Sequence, residues 1–300
     1  MNKKGFISTS MVYSFFLIFL LLLLFIVNEL INNRLLLNNV KEAVKSDISD
    51  TTFARYLINR AEDISLVYHG TNLAGGANDG SYRFVGSNPN NYVCFGSDAT
   101  SCPADNLYRI IGIFNNEIKL IKNTSVTTMP LVGYATNNYI NMDIYPYLNE
   151  DFLTTLGDYQ NYIADTPWYI NGIPASSIND YPIAIYNNEL GSNQDLSISI
   201  TAKIGLMYAS DYAYATDTTY YNSVVVGTNN WLRNGSNTWT ISRLNSTTGD
   251  FFIVNSAGRI QSRPVTNNFQ VRPVFYLNSS VTLATGDGTF SNPYRIEVAK

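Results

Sequence analysis

The spacing of apolar positions along this chain changes rhythm three times. From Gly5 to Asn28 no side chain is charged, and residues 6–27 form one run dominated by Leu, Ile, Phe and Val. About 20 apolar residues cross a bilayer core as a helix, so the run predicts a transmembrane helix over 6–27. It ends in "FIVNELINNR", without the small-residue cleavage site of a secretory signal. Next, Leu30, Leu37, Val40, Val44 and Ile48 recur at three- and four-residue spacing, the period of a helix covered on one side. "SDISDTTFARYLINRAEDI" restarts a helix, with Ser49 or Asp50 as N-cap and Leu57, Ala61 and Ile64 extending the stripe. The expectation is a helical stalk over 28–68. Gly, Asn and Asp in "HGTNLAGGANDG" predict a linker over 69–80.

From Ser81 the texture shifts to short apolar runs separated by Asn, Gly, Ser and Pro. "YRIIGIF", "EIKLIKN", "SISITAKIGLMY", "SVVVG", "TWTISRL", "DFFIVNSAG" and "VRPVFYLN" read as strands. "IFNNEIKLI" reads as a hairpin with Asn-Asn in its turn. Helices are expected in "NMDIYPYLNEDFLTTLG" and near "SDYAYAT". The resulting fold class is α+β: a long N-terminal transmembrane and stalk helix, then a mainly antiparallel β domain over 81–300.

Composition narrows the partners. Only 14% of residues are charged and the formal net charge is −4. No basic cluster follows Lys3 and Lys4, so nucleic acid is disfavoured. Lys3 and Lys4 before the span place the N-terminus in the cytoplasm and the bulk of the chain outside, as a single-pass protein of the cell membrane. In that setting Cys94 and Cys102, eight positions apart, favour a disulfide over two buried free thiols. With a single distant His, His69, they cannot complete a zinc site, so metal binding is disfavoured and no cofactor is implied. His69 reads as a solvated turn residue.

"KKGF" followed by a long apolar run resembles the leader of type IV prepilins and pseudopilins. The resemblance covers about residues 1–30 and makes residues 1–5 a leader. It implies cleavage between Gly5 and Phe6, methylation of Phe6, and packing with other pilin-like subunits through the helix. The chain departs from the family at Ser10, where Glu is usual and serves filament assembly. A plain anchor is the alternative. The blocks "NNYVCF", "YRIIGIF", "AKIGLMYASDYAYA", "NNWL", "VRPVFYL" and "GDGTFSNPY" are similar to bacterial exported domains of the C-type-lectin-like fold, also seen in formylglycine-generating enzymes. In this reading Trp231 and Val271–Leu277 mark the core. The sugar-binding tripeptides and the groove cysteines of that fold are absent.

Catalytic constellations are weak. No G-x-S-x-G surrounds a serine. Glu150, Asp151 and Asp158 suit a solvated helical face better than a glycosidase pair. Gly286 to Gly288 suit a hairpin turn. Twenty-two tyrosines remain. Trp168, Tyr169, Tyr212, Tyr214, Tyr220 and Tyr221 form a candidate binding surface, since such rings offer contact area with few rotors. A Tyr-rich structural core is the alternative. The function implied is an anchored, pilin-like surface protein, not an enzyme, serving adhesion, binding of a carbohydrate or protein ligand, or filament and secretion assembly. An anchored exported enzyme acting on polymers is the competing reading, favoured if an acid/base pair converges in a groove.

Overall fold

The computed structural model describes residue 13, residues 16–29, residue 31, and residues 52–132, 142–170, 172–174, 181–192, 199–224, 227–244 and 249–298. The chain divides into two units, Met1–Asp50 and Thr51–Lys300. In the first, residues 16–29 are helical (α1). Every side chain from Phe16 to Val27 is exposed, by 42% to 66%. Among the described residues no helix is long and apolar enough to cross a membrane. This overturns the expected fold class, a long transmembrane and stalk helix leading into a C-type-lectin-like α+β domain. The observed order is a short helix, then a mainly β unit with short helices. Gly5, Phe6, Ser10, Leu30, Leu37, Val40, Val44 and Ile48 lie outside the described residues.

The second unit starts well before Ser81. Thr52 bridges Thr282, the Phe53 amide donates to the Val281 carbonyl at 2.7 Å, and α2 (Phe53–Ile58) buries Phe53 and Leu57. The N-cap is Thr52, whose side chain accepts from the Arg55 amide, and Ser49 and Asp50 lie outside the described residues. The apolar stripe read as stalk is therefore satisfied, from Phe53 onward, by the domain itself.

The strands run in chain order as β1 (Leu66–Tyr68), β2 (Tyr82–Phe84), β3 (Tyr92–Cys94), β4 (Leu107–Phe114), β5 (Glu117–Lys122) and β6 (Thr127–Met129). After α3 (Ile144–Pro146) and a π-helical turn (Tyr147–Phe152) come β7 (Thr166–Tyr169), β8 (Gly172–Ile173), α4 (Pro182–Glu189), β9 (Ser199–Ala202), β10 (Ile204–Gly205) and α5 (Ala209–Tyr214). The last are β11 (Thr238–Leu244), β12 (Asp250–Val254), β13 (Ile260–Pro264), β14 (Phe269–Val271), β15 (Val274–Leu277), β16 (Leu283–Thr285) and β17 (Arg295–Ile296). One sheet has the order β1-β2-β4-β5-β15-β10, with β3 also on β4, and is antiparallel throughout. The second has the order β13-β12-β11-β14-β6, with β8 also on β11. There β11 runs parallel to both β14 and β8, so the antiparallel expectation holds only in part.

Local chemistry accounts for the junctions. Asn115 and Asn116 have φ of 51° and 66°, the left-handed pair that a two-residue hairpin turn requires and that Asn tolerates. "VRPVFYLN", read as one strand, is two strands in different sheets. Pro273 lacks an amide donor and breaks the ladder. Buried Arg272 pins the crossing by donating to the Lys122 and Leu232 carbonyls, at 2.9 and 3.2 Å. Trp231 anchors the same corner, its indole N–H donating to the Phe84 carbonyl while Arg109 stacks on its ring. The "WL" and "VRPV" blocks thus touch each other and are structural. Of "SVVVG", Ser223, Val224 and Gly227 are loop, and the other two residues lie outside the described ones.

Candidate functional site

The register of the larger sheet sets Arg83 opposite Gly112, Gly112 opposite Lys119, and Lys119 opposite Tyr276. The four therefore share one row on one face. Phe114 and Glu117 lie two residues along on the same face, because side chains alternate with period two. Gly112 is required here: a Cβ would overlap the Tyr82 carbonyl oxygen and crowd Phe114. The missing side chain leaves Arg83 and Lys119 free to converge on one acid.

That acid is Asp211, from α5. Its Oδ2 accepts from the Lys119 ammonium at 2.6 Å and from the Tyr208 amide at 2.8 Å. Its Oδ1 lies 3.8 Å from Arg83 Nη1. The last residue of α4, Glu189, accepts from the Ala209 and Ser210 amides and the Ser242 hydroxyl, which holds the start of α5 in place. Arg83, 2% exposed, donates from Nη2 to Asp79 at 2.6 Å and from Nε to Ser81 at 3.0 Å. Its guanidinium lies between the rings of Phe114, Tyr214 and Tyr186, at 4.7, 5.0 and 5.6 Å. Nη1 is buried and has no hydrogen-bond partner among the described residues. A buried donor left unmatched costs about 1–3 kcal/mol.

Beside this cluster opens a cleft of about 310 Å³, lined by Arg83, Lys119, Asp79, Glu117, Tyr169 and Tyr186 among others. Burial opposes the charge on Arg83, but Asp79 and then Asp211 outweigh it and raise its pKa. Burial likewise opposes ionised Asp79, yet Arg83 and Ser81 hold that carboxyl low. Burial draws Lys119 down against the pull of Asp211. It pushes Glu117 up, and the Glu117 carboxylate has no hydrogen bond or ion pair among the described residues. Tyr186 is raised to about 12 by burial and by Asp79.

Of the expected ring surface, only Tyr169 lines the cleft. Trp168, Tyr212, Tyr214 and Tyr221 are buried. Their polar atoms are satisfied internally, by the carbonyls of Ala202, Gly258, Gly75 and Tyr214 respectively. Tyr220 is half-buried in the turn Thr218–Tyr220, away from the cleft lining. These tyrosines form a structural layer. Cys94 and Cys102 form the expected disulfide. Among the described residues no group of three acids, histidines or cysteines could hold a metal. Glu150, Asp151 and Asp158 are exposed, and Gly286 and Gly288 sit in the β16–β17 connection.

His69 is not in a solvated turn. It is fully buried, its Nδ1 accepts from the Ala77 amide at 3.1 Å, and its Nε2 meets the Tyr221 hydroxyl at 3.3 Å. No motif along the chain marks Arg83, Lys119, Asp79 and Asp211 as a group. The available signal was weak: Glu117 and Lys119 alternate on one strand face, and "DGSYRF" carries Asp79 and Arg83 four apart. Neither spacing shows that two strands and a helix bring them together. Comparison with protein-family models, curated proteins and solved structures finds no match to this chain.

Proposed function

We propose that this chain is a membrane-associated, extracytoplasmic recognition protein whose folded unit binds a ligand in the Arg83–Lys119 cleft. The observation that carries the reading is the Nη1 of a buried arginine, lining a ring-walled cavity without a hydrogen-bond partner among the described residues. Such an arrangement is destabilising in isolation and useful when a ligand supplies the acceptor. The Cys94–Cys102 disulfide supports an oxidising compartment. Residues 16–27 are apolar on every side, which suits lipid or like helices better than a one-sided contact. The prepilin-like opening adds a route to assembly, with Phe6 as the mature N-terminus and adhesion or filament display as the role.

Binding is favoured over catalysis by what the acids are doing. Both oxygens of Asp79 are engaged by Ser81 and Arg83, and Asp211 is held by Lys119 and the Tyr208 amide. Among the described residues lining the cleft, Glu117 is the acid without a hydrogen-bonded or ion-paired partner, and one carboxyl does not make an acid/base pair.

The test is a thiol-labelling and fractionation experiment on intact cells. The chain should sediment with membranes, resist alkylation at Cys94 and Cys102 until reduced, and begin at Phe6 by N-terminal mass. A soluble cytoplasmic chain with both thiols reactive would overturn the location, and an N-terminus at Met1 would leave an anchored protein without the pilin route.

A further inference from the structure

We infer that the Arg83 cleft binds an uncharged polyhydroxylated ligand, the end of a neutral glycan, through hydroxyls that accept from Arg83 Nη1 and donate to the neighbouring carboxylates. This deepens the recognition reading and rests on it. Charge comes first. Arg83 and Lys119 already face Asp79 and Asp211, and Glu117 adds a third acid at the same cleft. A carboxylate or phosphate on Nη1 would enter beside Asp211 Oδ1, which lies 3.8 Å from that nitrogen. Like charges so close disfavour each other. A neutral hydroxyl meets no such opposition.

Hydrogen-bonding capacity points the same way. Among the described residues the cleft offers a donor without a hydrogen-bond partner, Arg83 Nη1, whose nearest acid oxygen is Asp211 Oδ1 at 3.8 Å, and an acceptor without one, the Glu117 carboxylate. A hydroxyl both donates and accepts, and a sugar presents several on adjacent carbons. The rings of Phe114, Tyr169, Tyr186 and Tyr276 supply the apolar walls against which the C–H face of a pyranose can lie. Ligand cavities run from about 300 to 1,000 Å³. At about 310 Å³ this one suits a terminal sugar or a disaccharide, and not a long chain.

The experiment uses the full chain in a detergent without a sugar head group. Saturation-transfer NMR and calorimetry are run with an array of neutral oligosaccharides, with their uronic-acid counterparts, and with free amino acids as zwitterionic probes. At least one neutral series should bind saturably, and its uronic counterpart should bind about tenfold more weakly or less. Tyr169→Ala and Glu117→Gln, two rim changes that leave the Arg83–Asp79 pair intact, should each weaken binding about three- to tenfold while the chain still unfolds in one cooperative transition. Tighter binding of a uronic or amino-acid probe, lost in these variants, would overturn the neutral-ligand inference and leave the cleft as a recognition site. Absence of any neutral-glycan binding would also overturn it. Glycan binding that ignores both substitutions would sink the cleft reading itself, and release of new reducing ends would replace recognition with hydrolysis.

Discussion

His69 ties the segment from Gly70 to Gly80 to the core, and its burial sets a pH response. Its pKa falls from the ordinary 6.5 to about 3, through burial first and the nearby Arg83 charge second, with Asp79 acting against them. Between those values the unfolded chain binds the proton and the folded one does not. Stability is therefore fully present above pH 6.5 and falls as pH drops through the window to 3. At pH 4 the loss from this group should be about 3 kcal/mol relative to pH 8. Glu117 and Glu189, whose pKa values are raised mainly by burial, act in the opposite sense. Urea unfolding of His69→Gln isolates the term: its stability should be flatter between pH 4 and 7 than that of the parent. A second outcome concerns the buried ions. Asp211→Asn strands Lys119, itself 1% exposed, and should cost about 3–5 kcal/mol in urea unfolding. Lys119→Met should cost less, because Asp211 keeps the Tyr208 amide and the Arg83 charge.

The β4–β5 hairpin places Phe114 opposite Glu117 and so sets the register of the whole cleft row. Its turn needs two left-handed residues, a conformation that costs a β-branched residue about 1–2 kcal/mol. Asn116→Val should lose that amount in chemical denaturation, and Asn116→Gly should be neutral or mildly stabilising. The loop closed by Cys94 and Cys102 is held twice more, by Arg295 donating to the Ser97 and Ala99 carbonyls and by Tyr159 donating to Asp98. Replacing both cysteines by serine should cost about 2–3 kcal/mol, measured as a lower thermal midpoint, since the closed loop is short. Elements of this kind were legible along the chain: the hairpin, the disulfide, α5 near "SDYAYAT" and the strands β4, β5, β11 and β12 all follow from local pattern. The split of "VRPVFYLN" between two sheets was not, because one strand's period says nothing about which neighbour it joins.

The folded unit begins at Thr51, not at Ser81, and truncation tests the difference. A fragment of residues 51–300 should unfold cooperatively and stay soluble. A fragment of residues 81–300 loses α2, β1 and His69, and with them the buried Phe53, Leu57 and Leu66. At about 2 kcal/mol for each buried side chain, that loss rivals the net stability of a whole domain. It should leave an aggregating or molten product, read by light scattering and near-UV circular dichroism. A stable 81–300 fragment would mean that the residues before Ser81 only decorate the fold.

By itself the sequence determined the quantities that depend on near neighbours: the uncharged apolar run after Gly5, the alternation of strand residues, the Asn-Asn turn, and two cysteines close enough to join. Tertiary structure decided which side of each pattern faces inward. The helical stripe read as stalk is covered, from Phe53, by the β unit, and four of six rings read as a binding surface are core. The Arg83–Asp211–Lys119 cluster joins residues from β2, α5 and β5, and Lys119 and Asp211 stand 92 positions apart. Burial and charge pairing are set by the packing of distant segments, and no period along a single segment carries that information.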